Sequence, residues 1–209
     1  MPKEAASTPQ SAAMVRHAFG LSGSGGFCEP AVSLIVGTVS IEEERNLAMN
    51  AIEIVETDLC RLEHQSATLE LLDAYARDQM GNGAPLPAEV RRRLIPGLRA
   101  HPTTLVFLAY SDGVAIGLAV CFRGFSTFAA KPLINIHDLV VLSTYRGRGV
   151  GRRLIESVAE KGRSLDCCKL TLEVLENNRP ARRLYDSAGF AQAMYQPEAG
   201  GALFMSKGL

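Results

Sequence analysis

The stretch YRGRGVG, from Tyr145 to Gly151, places three glycines and two arginines in seven positions. It follows LINIHDLVVL, an apolar run typical of a buried strand, and leads into VGRRLIESVAEKGRS, whose apolar residues recur at helical spacing. A helix N-terminus exposes unpaired N–H groups and carries partial positive charge. Glycines let the backbone approach a bulky anion, and arginines add charge-assisted contacts. The heptad therefore predicts an anion-binding turn between a strand and a helix.

Two common phosphate-binding motifs do not fit this stretch. No Lys-Ser or Lys-Thr pair follows the glycines, and Arg152 stands where G-x-G-x-x-G requires its last glycine. What remains is R-x-x-G-x-G, formed by Arg146, Gly149 and Gly151. A plain tight turn is the alternative, but one glycine would be enough for it. The three glycines and two arginines favour binding of an anion.

Composition excludes several other classes of function. Lysine plus arginine number 22, as do aspartate plus glutamate, so no net charge draws the chain to nucleic acid or membrane. Arginine clusters at 91–93 and 182–183 lack the interleaved aromatic residues of a nucleic-acid site. The five cysteines are scattered and the four histidines are not at ligand spacing, so we expect no metal and reduced thiols in the cytoplasm. No apolar stretch approaches the ~20 residues that span a membrane.

The N-terminal part of the chain has a different composition from the rest. A linker-like LSGSGGF precedes a short apolar run, AVSLIVGTV, which lacks the flanks of a secretory signal. We expect residues 1–48 to form a flexible N-terminal extension, with Met49 as a plausible true start, and residues 49–209 to form one domain. A transit peptide is the alternative, weakened by Glu4 and Glu29.

From Ala51 onward, strand-like and helix-like patterns alternate in the order β-α-α-β-β-β-α-β-α-β-β. This order predicts a fold of the α/β or α+β class, with a mixed, mostly antiparallel twisted sheet flanked by about four helices. Pro96 is expected to end or bend the second helix, and Ser111-Asp112-Gly113 to form a hairpin turn. The predicted strands are 51–56, 103–110, 114–122, 133–142, 168–174, 190–195 and 202–205, and the predicted helices are 69–80, 87–100, 150–164 and 179–189.

Three stretches of the sequence resemble parts of a known protein family. HDLVVLSTYRGRGVGRRLIESV is similar to the acyl-CoA signature of the GNAT superfamily of N-acetyltransferases. LEVLENNRPARRLYDSAGF resembles the family's next strand and helix, with Asn178, Ala181, Leu184, Tyr185 and the Gly189-Phe190 pair at matching places. FSTFAAKPLINIHDLVV further resembles the diamine, spermidine and thialysine acetyltransferase branch.

The resemblance implies acetyl-CoA as the acetyl donor and a primary amine as the acceptor, in an acyl-CoA N-acyltransferase fold. It implies that the pantetheine arm pairs like an extra strand along β-strand residues 139–141, where that strand splays from 169–174. It also implies that the backbone from Arg146 to Gly151, the glycine turn, wraps the diphosphate. The predicted coenzyme-binding residues are Leu139, Val140, Val141, Arg146, Gly147, Arg148, Gly149, Val150, Gly151, Arg152, Asn178 and Tyr185.

Acetyl transfer to an amine needs a base, an oxyanion donor and an acid for the departing thiolate. The resemblance places the acid at Tyr185, whose phenol is protonated at neutral pH; a core tyrosine is the alternative. A backbone N–H near Val140 or Val141 is the expected oxyanion donor. His137 stands where the diamine branch commonly has a glutamate, and it is our predicted base. The alternative is that His137 is a strand residue that makes a fixed hydrogen bond. Successive side chains of a strand point to opposite faces, so Asp138 could orient His137 only if the strand has a bulge there.

The predicted activity is therefore direct acetyl transfer from acetyl-CoA to a small diamine-like, polyamine-like or lysine-like amine. A protein lysine or N-terminal acetyltransferase and a non-catalytic acyl-CoA-binding regulatory module are the alternatives. The presence of Tyr185 and Asn178 favours an enzyme. A small-molecule acceptor is the expected partner, and similarity to the family also suggests a homodimer.

Overall fold

The computed structural model describes residues 52–193, 198, 201 and 203–208. The predicted N-terminal extension, residues 1–48, and the proposed start at Met49 lie outside the described residues. None of the helices in the described ranges is long and apolar enough to cross a membrane. Within the described part of the chain the strands and α-helices are β1 (Ile52–Glu56), α1 (Leu62–Arg77), α2 (Ala88–Ala100), β2 (Thr104–Ser111), β3 (Val114–Ser126), β4 (Lys131–Val141), α3 (Val150–Ser164), β5 (Leu170–Leu172) and α4 (Arg179–Ser187).

The strands form one mixed sheet in chain order, β1-β2-β3-β4-β5. The first four strands pair antiparallel and β5 pairs parallel to β4, which confirms the predicted mixed, mostly antiparallel sheet. The β2–β3 hairpin turns at Asp112 and Gly113, whose φ angles are +51° and +76°. Two successive positive φ values define the tight turn that suits the twist of a hairpin, as the Asp-Gly pair predicts.

Helices cover both faces of the sheet, and each face has its own apolar core. One core joins the sheet to α3 through Val150, Leu154 and Val158, whose predicted inward spacing is confirmed. The other core joins α1 and α2 to alternate residues of β2, β3 and β4, including Leu108, Leu118 and Val140. Each fully buried aliphatic side chain stabilises the fold by roughly 1.5–3 kcal/mol, so both helical layers are held firmly on the sheet.

Several predicted element bounds are wrong. Helix α1 begins at Leu62 instead of Leu69, because its first turns bury His64 and Thr68, polar residues that break the apolar pattern. Helix α2 keeps its predicted range and continues through Pro96, so the expectation that this proline could end the helix is wrong; Leu98, in its last turn, packs into the core with residues of the sheet.

The strands at the end of the chain also differ from the prediction. Strand β5 is only three residues long. The predicted closing strands are wrong over residues 190–193 and 203–205, which form no strand, and the rest of those segments lies outside the described residues.

Candidate active site

The glycine turn joins the end of β4 to the start of α3 through a single 3-10 turn, Ser143–Tyr145. Gly147 and Gly149 have φ angles of +76° and +80°, in the left-handed region that favours glycine, and Gly149 is the N-cap of α3. Gly151 serves a different purpose. A Cβ added there would lie 2.8 Å from Cδ2 of Leu184, so this glycine allows α4 to pack closely against α3.

Four backbone amides at the start of α3 are unpaired among the described residues. The N–H of Arg146 donates to Ser143 O at 3.3 Å, and that of Arg153 donates to Gly149 O at 3.1 Å. Between them, within the part of the chain that the structure describes, no acceptor pairs with the N–H groups of residues 149–152. Together with the helix dipole they form a concentrated set of donors for an anion.

The three arginines of the turn have different surroundings. Arg146 donates from Nε to Val141 O at 3.0 Å and from Nη2 to Asp78 Oδ2 at 2.7 Å. Arg152 donates to Oγ of Ser187 at 2.8 Å and so ties α3 to α4. The Arg148 guanidinium lies 5.3 Å from the centre of the Tyr145 ring. Among the described residues Arg148 has no acidic partner, which makes it the arginine best placed to meet an added phosphate.

Strand β4 carries a bulge at His137. Asp138 is opposite Val120 and Ile136 is opposite Cys121, so His137 is the extra residue. An extra residue reverses the alternation of the strand. Ile136 faces the core beneath α3, while Asp138 and Val140 face the side of α1. The bulge therefore places the side chains of His137 and Asp138 on the same side, the geometry that the sequence prediction required for them to act together.

Beyond the bulge, β4 has an unpaired edge. Strand β5 pairs with β4 only from Ile134 to Ile136, so the predicted splay is present. Leu142 N–H donates to Ile116 O on β3, and by alternation Val140 N–H also faces β3. The N–H groups of Leu139 and Val141 therefore point to the open edge. Of the two positions predicted for the oxyanion donor, only Val141 has its N–H on that side.

A cavity of about 660 Å³ lies beside this edge. Helix α1 contributes Leu72, Tyr75 and Ala76, and the segment after it contributes residues 80–82. The β4 bulge contributes His137 and Asp138, Glu173 follows β5, and α4 contributes Tyr185. No lysine or arginine among the described residues lines it. The cavity is thus acidic and partly apolar, which suits a cationic amine.

Tyr185 is a half-buried residue of this cavity. Its ring meets that of Phe190 edge-on, with the centroids 5.9 Å apart. Burial, and then the nearby Tyr75, raise the pKa of Tyr185 to about 12. The phenol is therefore protonated throughout the neutral range and able to donate a proton. Its neighbour Leu184 packs on Gly151, so of the two residues Tyr185 is the one that faces the cavity.

His137 is exposed at the mouth of the cavity, and its ring meets that of Phe122 with centroids 5.5 Å apart. No hydrogen bond joins it to Asp138 within the described ranges. Asp138 is half-buried, and burial raises the pKa of its carboxyl, an effect that the charge of His137 opposes. The two groups are thus close enough to interact electrostatically without forming a bonded pair.

Asn178 has a structural part in this arrangement. Its side-chain oxygen accepts the N–H of Ala181 at 3.2 Å, which makes it the N-cap of α4, the helix that carries Tyr185. Asn178 also lines the cavity. Its contact with the coenzyme stays a prediction. The coenzyme contacts of the other predicted site residues likewise stay predictions.

Sequence reasoning did not find Tyr75. In the sequence it is one member of an apolar helix face, but in the structure it lies in the cavity with Asp138 and Tyr185. Burial raises its pKa, with further contributions from Asp138 and Asp78. The sequence alone does not reveal its position, because that position depends on which side of β4 Asp138 occupies after the bulge.

Comparisons with known proteins identify the family. Residues 68–190 match the acetyltransferase (GNAT) family, and the chain belongs to it. Glucosamine 6-phosphate N-acetyltransferase of Trypanosoma brucei brucei is 32% identical over 143 residues, which cover 66% of this chain and 91% of that protein. An uncharacterized N-acetyltransferase of Archaeoglobus fulgidus is 37% identical over 98 residues, covering 46% of this chain and 64% of the relative. The predicted family is confirmed.

A relative from the suspected branch also matches. Thialysine N-epsilon-acetyltransferase of Bos taurus is 34% identical over 83 residues, covering 40% of this chain and 48% of that protein. The chain therefore spans about half to two thirds of the length of several curated relatives.

Solved structures support the fold alone. The crystal structure of a probable acetyltransferase superposes with a TM-score of 0.62 at 20% identity, covering 75% of this chain and 99% of the other. A soil-metagenome aminoglycoside acetyltransferase in complex with sisomicin superposes with a TM-score of 0.61 at 16% identity, covering 77% and 97%.

Proposed function

We propose that this protein is an acetyl-CoA-dependent N-acetyltransferase that acts on a primary amine of a small cationic acceptor. The observation that carries the proposal is the set of unpaired donors at residues 149–152, which adjoins the open edge of β4 at Leu139 and Val141. That edge leads to the cavity that contains Tyr185. These donors fit acetyl-CoA, since the turn offers N–H groups to a diphosphate and the edge offers backbone pairing to its amide-containing arm.

Each catalytic demand has a candidate group in the cavity or on the β4 edge beside it. The N–H of Val141 donates to the negative charge that develops on the thioester oxygen. Tyr185 donates its proton to the departing thiolate, whose conjugate acid resembles a cysteine thiol. Asp138 attracts the positively charged amine into the cavity. His137, at the mouth of the cavity, takes the proton that the amine must lose before attack, directly or through water.

The charges in the cavity favour one class of acceptor over another. Asp138 and Glu173 lie in it, and no lysine or arginine among the described residues does. A phosphorylated sugar needs cationic partners for its phosphate, whereas a diamine, a polyamine or a lysine-like amine needs carboxylates. The thialysine relative is therefore the better guide to the acceptor than the glucosamine 6-phosphate relative.

A protein lysine acceptor is a second candidate, favoured by a groove beside the cavity. This groove, of about 720 Å³, lies between α2 and β3, is lined by Phe122 and His101 among others, and shares Leu94 with the cavity. A peptide could lie there with its lysine side chain in the cavity.

The test combines coenzyme binding with a panel of acceptors. The purified protein is mixed with acetyl-CoA and diamines, polyamines, lysine analogues, peptides or glucosamine 6-phosphate, and release of free thiol is followed. We expect turnover with a cationic amine and none with the phosphorylated sugar. Tight coenzyme binding without turnover of any amine would instead indicate a non-catalytic acyl-CoA-binding module.

A matched pair of glycine variants tests the coenzyme site. Gly149→Val places a side chain at φ +80° in the glycine turn, and Gly113→Val does the same at φ +76° in the remote β2–β3 hairpin. Both carry a similar backbone penalty of about 1–2 kcal/mol. We expect only Gly149→Val to abolish binding of CoA in calorimetry, with similar losses of Tm in both. Equal CoA affinity in the two variants would disprove the assigned site.

A further inference from the structure

The glycine turn is connected by an ion pair to a distant part of the chain. Arg146 Nη2 donates to Asp78 Oδ2 at 2.7 Å across 68 positions of sequence. The same guanidinium donates from Nε to Val141 O at 3.0 Å, on the open edge of β4. The side chain of Arg146 therefore points away from the four unpaired amides and joins three segments: the turn, the edge of β4 and the end of α1.

The segment after α1 is tightly built around Asp78. Oδ1 of Asp78 accepts the N–H of Met80 at 2.9 Å, so each carboxylate oxygen has its own donor. Asn82 and Ala84 both donate to Ala76 O, at 3.1 and 3.2 Å. Gly81 lies directly against Tyr75 O, where any Cβ would clash. These contacts give the segment from Asp78 to Ala84 a defined shape.

That segment is also a wall of the cavity. Met80, Gly81 and Asn82 line it, as does Tyr185 of α4. The Met80 N–H first and then Arg146 lower the pKa of Asp78, so this carboxylate is ionised at neutral pH and the ion pair is present. The pair thus links the turn assigned to the coenzyme with the wall of the cavity assigned to the acceptor.

We propose that Asp78 is a positioning residue that acts through Arg146, so that binding of the coenzyme at the glycine turn further stabilises the acceptor-cavity wall formed by residues 78–84. This inference rests on the proposed function, because it assigns the coenzyme to that turn. Arg146 then serves as a connection between the two substrates' sites, and Arg148 is left to meet the phosphates.

The test uses the full-length protein, with CoA as the probe. Asp78→Asn removes the charge but keeps an oxygen for the Met80 N–H. Arg146→Gln removes the other partner, and a double variant removes both. Asp166→Asn is the matched control, since Asp166 follows the C-terminal end of α3, the end opposite to the turn, and forms an exposed ion pair with Lys131 at 2.9 Å. Calorimetry measures the Kd of CoA, and hydrogen exchange measures protection of amides 79–84 with and without CoA.

In the wild type we expect CoA to slow exchange of amides 79–84. Each single variant should weaken CoA binding about fivefold, the size of effect expected of one partly exposed ion pair, and the double variant no more than either single variant. In Asp78→Asn the protection of 79–84 by CoA should be lost, while Asp166→Asn behaves as the wild type.

Two results would overturn the inference while leaving the proposed function intact. One is CoA binding to the wild type without protection of amides 79–84, which tests the idea even if a variant fails to fold. The other is additive losses in the double variant, which would mean that Arg146 contacts the coenzyme independently of Asp78. If the wild type binds no CoA, the proposed function fails and this inference fails with it.

Discussion

At the scale of single residues, the protonation state of Tyr185 is the most testable feature of the cavity. Its pKa of about 12 keeps the phenol protonated at any pH at which the protein would be assayed. Tyr185→Phe keeps the ring contact with Phe190 but removes the phenolic hydroxyl group and the proton it donates. We expect kcat to fall about 100-fold, the low end for a positioned acid, with the Kd of CoA unchanged.

Tyr110→Phe is the control for this experiment, because Tyr110 is a partly buried tyrosine of β2 that does not line the cavity. It should leave kcat unchanged. An unaltered kcat in Tyr185→Phe itself would mean that water or another group protonates the thiolate.

The three glycines show how far sequence reasoning reaches at this scale. The motif predicts that all three let the backbone approach an anion. Gly147 and Gly149 have the positive φ angles that such a turn uses, but Gly151 is buried against Leu184. In sequence, a glycine required for its positive φ looks the same as a glycine required for close packing. The packing role of Gly151 depends on a residue of α4 that is more than 30 positions away.

At the scale of secondary-structure elements, the bulge in β4 determines what the site contains. It turns the amides of Leu139 and Val141 to the open edge and the side chain of Asp138 toward α1. The apolar pattern of β4 predicts a central strand, and this is confirmed. Sequence does not show the bulge, since the extra residue is defined only by the register with β3. For that reason the cavity role of Asp138 and its proximity to Tyr75 were not predicted.

The position of Asp138 leads to a pH-dependent prediction. Burial raises its folded pKa above the unfolded value of 3.8. The folded state then binds more protons than the unfolded state, so the favourable contribution is complete below pH 3.8 and is lost as pH rises through the folded pKa. Asp138→Asn, which cannot ionise, should therefore raise Tm at pH 7 but not below pH 3.8, while kcat/KM for a cationic amine falls.

Thermal melts from pH 3 to pH 8 would measure this difference in Tm. Asp112→Asn, at the exposed β2–β3 turn, is the control. Its difference in Tm from the wild type should not grow as pH rises. A difference in Tm that shrinks as pH rises would contradict the burial of the Asp138 carboxylate.

At the scale of the whole molecule, the sequence predicts the class of fold and its family well. Strand and helix periodicities give nine of the elements in the correct order, and the glycine turn gives the family. The errors are at the ends of elements and in the segment after α4. There, residues such as Phe190 have strand-like composition but lie against α4, so tertiary packing overrides the local preference.

Residues 49–209 should be sufficient for the proposed activity. Every residue assigned to the chemistry lies between Tyr75 and Tyr185, and among the residues that the structure describes both apolar cores are built from positions 52 onward. A protein consisting of residues 49–209 should therefore keep the Tm, the Kd of CoA and the kcat/KM of the full chain. Melting, calorimetry and the acceptor assay measure these values on both proteins side by side. A loss of CoA affinity at unchanged Tm would show that residues 1–48 take part in the site, and a large fall in Tm would place part of the core there.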